Sequence, residues 1–235
     1  MRVLCFGAYP SGYGWGGRNR IVVRGLRRND VEVDECNVLV SASEGYQEQY
    51  LKNSIPSVII KYLRLIKNRS RLRAKNYDAI IVFHHDAIPA AKALFKKPII
   101  FDSYVSLYEA EVEDRKRVSE RSLWGRSLYY IDKYCYELSN INILDTYQHI
   151  NYITKKFHVK TKKFKRVFVG ADDSVFYPKV NEERNDGIFR VIFWGTFIPL
   201  QGVQYIIYAA NFLRKEKTLF SIYLVQDKLS VQHIF

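Results

Sequence analysis

The segment PSGYGWGGR sets Gly12, Gly14 and Gly17 at GxGxxG spacing, with Gly16 beside the last. It follows the apolar run RVLCFG (Arg2–Gly7) and opens a helical pattern at Arg18–Arg28. Backbone amides at a helix start attract phosphate, and glycines let the phosphate come close. Three readings stay open: a dinucleotide fingerprint, a plain surface loop, or a loop facing phosphate of another kind. The first draws on Asp34 and Glu35, near the end of the next strand, where a ribose-binding acid would be sought. Against it, Ala8–Ser11 separate the strand from the first glycine, whereas a nicotinamide site turns at once. No Gly-Lys-Ser/Thr follows, which excludes a P-loop.

Four more clusters follow apolar strands: His84-His85-Asp86 after AIIVF, Asp102-Ser103-Tyr104 after PIIF, Asp145-Thr146, and Gly170-Ala171-Asp172. Ligands of open α/β sheets sit at the carboxyl ends of strands, so all four are candidates to line a cleft. A carboxylate at Asp102 accepts a hydrogen bond from a hydroxyl and, when ionised, donates none. Ser103 and Tyr104 add two hydroxyls able to orient a polyhydroxylated ligand. Adjacent residues on a strand point to opposite faces, so His84 and His85 do not readily grip one ion. Cys5, Cys36 and Cys135 lie far apart, with no CxxC pair and no metal spacing. No metal is expected.

Two stretches carry a resemblance. Val167–Pro178, VFVGADDSVFYP, resembles the hinge-proximal pxGvDxxxFxP signature of family 4 glycosyltransferases, and Ile192–Leu213, IFWGTFIPLQGVQYIIYAANFL, is similar to the strand, glycine loop and helix that open their donor-binding domain. The resemblance implies a GT-B architecture of two facing Rossmann-like domains. It implies transfer of a sugar from a nucleotide-sugar to a glycan or lipid-linked acceptor, with retention, no metal and no cofactor beyond that co-substrate. On it, Gly16, Gly17, Gly195 and Thr196 are expected beside donor phosphate, and Asp102 and His84 on the catalytic, acceptor side. Many members carry a His where Asp102 stands. They also have a basic residue shortly after the glycine matched by Gly195, and a Lys before that matched by Gly202. Here Thr196 and Gln201 hold those places, and neither neutralises a diphosphate. Two other classes remain: a non-catalytic binding module of the same fold, and a nicotinamide-dependent oxidoreductase using Asp34.

The elements that must position these residues alternate. Strands are expected at Arg2–Gly7, Val31–Val33, Val38–Val40, Ala79–Phe83, Pro98–Phe101, Ile141–Leu144 and Arg166–Val169, and helices at Arg18–Arg28, Ala87–Phe95, Ser122–Leu138 and Tyr147–Phe157. That alternation predicts a parallel sheet with helices on both faces. Glu109, Glu111, Glu113 and Asp114 precede Arg115, Lys116 and Arg117 and read as a solvated helix face with charge pairing. The polar stretch Pro178–Gly187 marks a boundary. Residues 1–180 are expected to form an acceptor-side Rossmann-like domain, 181–188 a linker, and 189–235 the start of a donor-binding domain. That start holds a strand (Phe189–Trp194), a helix (Val203–Leu213) and a strand (Leu219–Val225). Two strands are too few to close a core, so a C-terminally truncated enzyme, inactive alone, is the expectation.

The 235 residues carry 37 Lys and Arg against 24 Asp and Glu, a net charge of +13. With 48% hydrophobic residues the chain can bury a core, which excludes a mainly disordered protein. No apolar run is long enough to span a membrane, and no cleavage site follows the opening apolar run. A reduced, cytoplasmic protein is expected, at most peripheral on the inner face of the membrane. Ser54–Lys75 reads as a basic amphipathic helix. It is suited either to an anionic membrane surface or to packing on a core with its basic face solvated. The second basic stretch, Lys155–Arg166, interleaves Phe157 and Phe164. No RNP or helix-turn-helix signature accompanies it, so nucleic acid is not expected.

Overall fold

In RVLCFG every side chain after the first is buried, and such a strand needs an apolar layer above and below it. The computed structural model supplies both. It describes residues 1–7, 17–37, 76–174, 176–178, 189–195, 197, 199–213, 220–226 and 230–233. Gly12, Gly14, Gly16, Thr196, residues 38–40, the basic stretch 54–75 and the linker 181–188 lie outside the described residues.

The chain divides into two compact units: Met1–Tyr108 with Arg121–Phe176, and Glu109–Glu120 with Tyr177–Phe235. The first unit holds β1 (Arg2–Gly7), α1 (Gly17–Arg28), β2 (Glu32–Asn37), β3 (Ala79–Val82), α2 (Ala87–Leu94), β4 (Ile99–Asp102), α3 (Leu123–Leu138), β5 (Ile141–Leu144), α4 (Tyr147–Phe157) and β6 (Phe164–Arg166). Its six strands are ordered β2-β1-β3-β4-β5-β6, and every pairing is parallel. The order reverses at β1, so the switch point lies between β1 and β3, where open α/β sheets take ligands.

Alternation assigns the two faces. Val3 and Cys5 join Ile81, Phe83 and Val23 of α1 in one core, with Val22 and Leu26 packed against it. Leu4, Phe6, Ile80 and Val82 point the other way and are buried, with Phe6 edge-on to Phe95 at 5.4 Å. Under β4 to β6 an aromatic cluster forms around Tyr136 of α3. Phe101, Phe157 and Phe164 lie 5.9, 5.6 and 5.5 Å from its ring. Burying each such side chain stabilises the unit by roughly 1.5–3 kcal/mol. Gly7 ends β1 at φ +140°, and a Cβ there would meet the Cβ of Ala87 at 3.1 Å, so only glycine lets α2 start this close.

The second unit contains a π-helical stretch, Glu109–Asp114, and then β7 (Phe189–Trp194), α5 (Val203–Leu213), β8 (Phe220–Gln226) and β9 (Ser230–His233). β7 and β8 pair in parallel around α5, and β9 adds antiparallel to β8. Val203 and Ala210 of α5 pack with Val191 and Phe193. Gly202 enters α5 at φ +61°, the left-handed region. The acids expected to form a solvated helix face lie in the π-helical stretch, where Glu111 accepts from Arg115 at 2.8 Å. Among the described residues no helix is long and apolar enough to cross a membrane.

Candidate functional site

Asp102 closes β4 at the carboxyl edge, as its place after PIIF requires. Its surroundings are those of a buried ion pair. It is 2% exposed, and Arg18 of α1 grips both oxygens. Arg18 donates from Nε to Oδ1 at 3.0 Å and to Oδ2 at 2.9 Å, and from Nη2 to Oδ1 at 2.8 Å. Burial raises Asp102 above the ordinary carboxylate value, while the hydrogen bonds and charge of Arg18 pull it back down. The guanidinium extends over the ring of Tyr104 at 5.4 Å and reaches the carbonyl of Val167 at 3.5 Å. Gly17 begins α1, so the helix sets Arg18 in its first turn, over the ends of β4 and β6.

Ser103 is buried, its hydroxyl 2.9 Å from the Tyr136 hydroxyl and its amide bonded to Ile143, so it faces the core. Tyr104 turns outward. The loop that carries them is fixed by Asp132, fully buried in α3. Asp132 accepts from Ser106 Oγ at 2.6 Å and from the amides of Leu107 and Tyr108 at 3.1 and 2.8 Å. His85 brings Nε2 within 2.7 Å of the same carboxylate and meets Phe101 edge-on. The His85 side chain thus belongs to a buried brace. His84 stays half-buried at the end of β3, and Asp86 caps α2 without a side-chain cap bond.

At the end of β5, Thr146 caps α4 by accepting from the His149 amide at 3.1 Å, and Asp145 Oδ1 lies 3.2 Å from His149 Nδ1. Next to them Arg166 ends β6. Its guanidinium lies over Tyr147 at 4.2 Å and over Phe168 at 4.3 Å. Gly170 is exposed, and a Cβ added there would meet the Ile21 side chain of α1 at 3.6 Å. Asp172, expected as a cleft residue, is instead 8% exposed and clamped. Arg20 donates to it at 2.6 Å, Arg24 also donates, and the Ser174 amide and hydroxyl close a local turn at 3.1 and 2.5 Å. The Ser174 hydroxyl first, then its amide and the arginines, hold Asp172 well below the usual carboxylate range. The hydrogen bond from Arg28, with its charge, also lowers Asp173.

A concavity of about 490 Å³ runs along α1, lined by Asn19, Arg20, Val23, Arg24, Arg27, Arg28 and Glu35. All four arginines already have acidic partners in Asp172, Asp173 or Glu35. Asp34 stands mid-strand in β2, opposite Leu4 and 3.8 Å from Arg2 Nε. It is therefore not at the carboxyl end, where a ribose contact would be needed.

The structure thus brings Arg18, Asp102, Tyr104, Tyr147, Arg166 and Phe168 to one edge. Sequence reasoning missed Arg18 because its partner lies 84 residues away, and it counted Arg166 only as part of a basic stretch. The signal for Arg18 was its place directly after the glycine pair. Gly195 follows β7, and a Cβ there would meet the Phe193 ring at 2.9 Å.

No protein-family model matches the chain, and no curated protein matches it. Among solved structures, pyridoxal kinase from Trypanosoma brucei is similar at 14% identity and TM-score 0.38, over 67% of this chain and 58% of that one. Glycyrrhiza uralensis UGT73P12, complexed with glycyrrhetinic acid 3-O-monoglucuronide, is similar at 10% identity and TM-score 0.36, over 71% of this chain and 42% of that one. The chain thus spans less than two thirds of the length of either protein, and a likeness this distant assigns no activity.

Proposed function

We propose that the chain contributes the acceptor-side unit, and the opening of the donor-side unit, of a GT-B glycosyltransferase. The reaction is transfer of a sugar from a nucleotide-sugar to a glycan or lipid-linked acceptor. One observation carries the reading. A second parallel β-α-β unit, β7-α5-β8, follows the segment VFVGADDSVFYP, with Gly195 and Gly202 in its strand-to-helix turn. In such an enzyme the departing nucleoside diphosphate gains negative charge, and amides or cations aimed at it lower the barrier. Thr196 and Gln201 bring no charge there. In the first unit Arg18 is the cation at the head of α1, and Asp102 is a positioning residue that acts through it.

The test is binding of UDP-glucose, GDP-mannose and NAD to the 235-residue chain by calorimetry. Binding of a nucleotide-sugar in preference to NAD is expected. Tight NAD binding with no response to either nucleotide-sugar would overturn the reading in favour of an oxidoreductase. The mid-strand position of Asp34 already counts against that class.

A further inference from the structure

Three exposed aromatic rings stand at the carboxyl ends of adjacent strands: Tyr104 after β4, Tyr147 after β5 and Phe168 after β6. They are 47%, 58% and 66% exposed. Contacts link them into one surface. Arg18 lies over Tyr104 and touches the Val167 carbonyl, the next residue is Phe168, and Arg166 lies over both Phe168 and Tyr147. The two guanidiniums differ. Arg18 is neutralised by Asp102, whereas the Arg166 side chain makes no hydrogen bond or ion pair with any described residue. Asp145, the acid at the end of the neighbouring strand, faces His149.

A guanidinium lying over aromatic faces keeps its N–H donors pointing outward around its edge. There they match the two oxygens of a carboxylate or phosphate. Each ring keeps its other face clear of the guanidinium, and Phe168, at 66% exposed, offers there an apolar surface to the C–H face of a pyranose ring. We propose that this edge binds the acceptor through an anionic sugar, with the outer face of Phe168 against the ring and Arg166 on its carboxylate or phosphate. Calling that sugar the acceptor rests on the glycosyltransferase reading. The binding site itself does not.

The experiment is titration of the 235-residue chain, followed by saturation-transfer NMR, with glucose, glucuronate, glucose 6-phosphate and inorganic phosphate at one ionic strength. The chains compared are wild type, Arg166→Gln and Phe168→Ala. Both side chains are exposed, so both variants should keep the wild-type melting temperature. A hydrogen-bonded charge pair predicts at least about tenfold tighter binding of the anionic sugars than of glucose. Arg166→Gln should erase that preference, and Phe168→Ala should weaken all three sugars. The glucuronate and phosphate arms tell which anion the site takes. Equal binding of glucose and the anionic sugars, an unaffected Arg166→Gln chain, or inorganic phosphate binding as tightly as the sugar phosphate would each overturn the proposal, as would no binding at all. Anionic-sugar binding without nucleotide-sugar binding would leave this site standing and remove the transferase reading. The reverse result would do the opposite.

Discussion

At Arg18 and Asp102 the charges are buried as a pair, and each is expensive without the other. Asp102→Ala leaves a nine-tenths buried guanidinium without its counter-charge, and the expected loss is on the order of 3–5 kcal/mol of stability. Asp102→Asn keeps one acceptor oxygen and should lose less. The double variant Arg18→Met with Asp102→Leu should melt closer to wild type than Asp102→Ala does, because it buries no orphan charge. Melting temperatures of the three variants check this, and a harmless Asp102→Ala would contradict the geometry. The sequence could show where Asp102 sits, because four apolar residues precede it. It could not show what holds it, because burial and a partner 84 residues distant are tertiary facts. The partner of Ser103 was hidden for a related reason: a hydroxyl beside a strand end looks free until the Tyr136 hydroxyl is found opposite it.

Helix ends and strand ends divide the remaining candidates between structure and site. Thr146 is placed as a cap, so Thr146→Ala should cost about 0.5–2 kcal/mol while Thr146→Ser is nearly neutral. A stability loss with unchanged ligand binding would assign Thr146 to α4 alone. Arg20, Arg24 and Arg28 recur every four residues, line one face of α1, and meet Asp172 and Asp173. Because the native value of Asp172 is depressed, the unfolded chain binds more protons in acid. The contribution to stability is present above the ordinary carboxylate value of about 3.9 and is lost as pH falls below it. Melting curves from pH 6 to pH 2 should fall more steeply for wild type than for Asp172→Asn, and parallel curves would contradict the clamp. Most elements were legible because their apolar spacing is strong; β5, α4, β7 and α5 fall where the pattern put them. β6 did not. The strand was expected at Arg166–Val169, but only Arg166 of it lies in β6; Val167–Val169 is exposed, while Phe164 is the residue that enters the core. β9 went unread because its sequence, SVQH, has little apolar character.

Across the whole molecule, burial governs the thiols. Cys5, Cys36 and Cys135 are buried and unpaired. Burial pushes Cys5 up to about 12 and Cys36 to about 11, and it raises Cys135 as well. The thiolate is the reactive form, so the folded chain should leave all three untouched by a thiol reagent at pH 8, and denaturant should release all three. Rapid reaction of the native protein would contradict this packing. At this scale the alternation of strands and helices was enough to imply a parallel sheet. Strand order was not legible, because nothing local tells β3 to pair with β1 rather than β2. Nor was the grouping of Glu109–Glu120 with the second unit, which depends on contacts far along the chain.

The clamp on Asp172 also has a consequence for timing. Arg20 and Asp172 are 152 residues apart, so α1 leaves the ribosome long before its counter-charge exists. Until then its row of arginines has no acidic partner from this segment, and β4, β5 and β6 must wait for β3 to give them an edge. Arg27 has Glu35 and Arg18 has Asp102 before then, but Arg20, Arg24 and Arg28 do not gain Asp172 and Asp173 until that segment is made. Neutralisation of that arginine face is therefore completed only after the VFVGADD segment emerges.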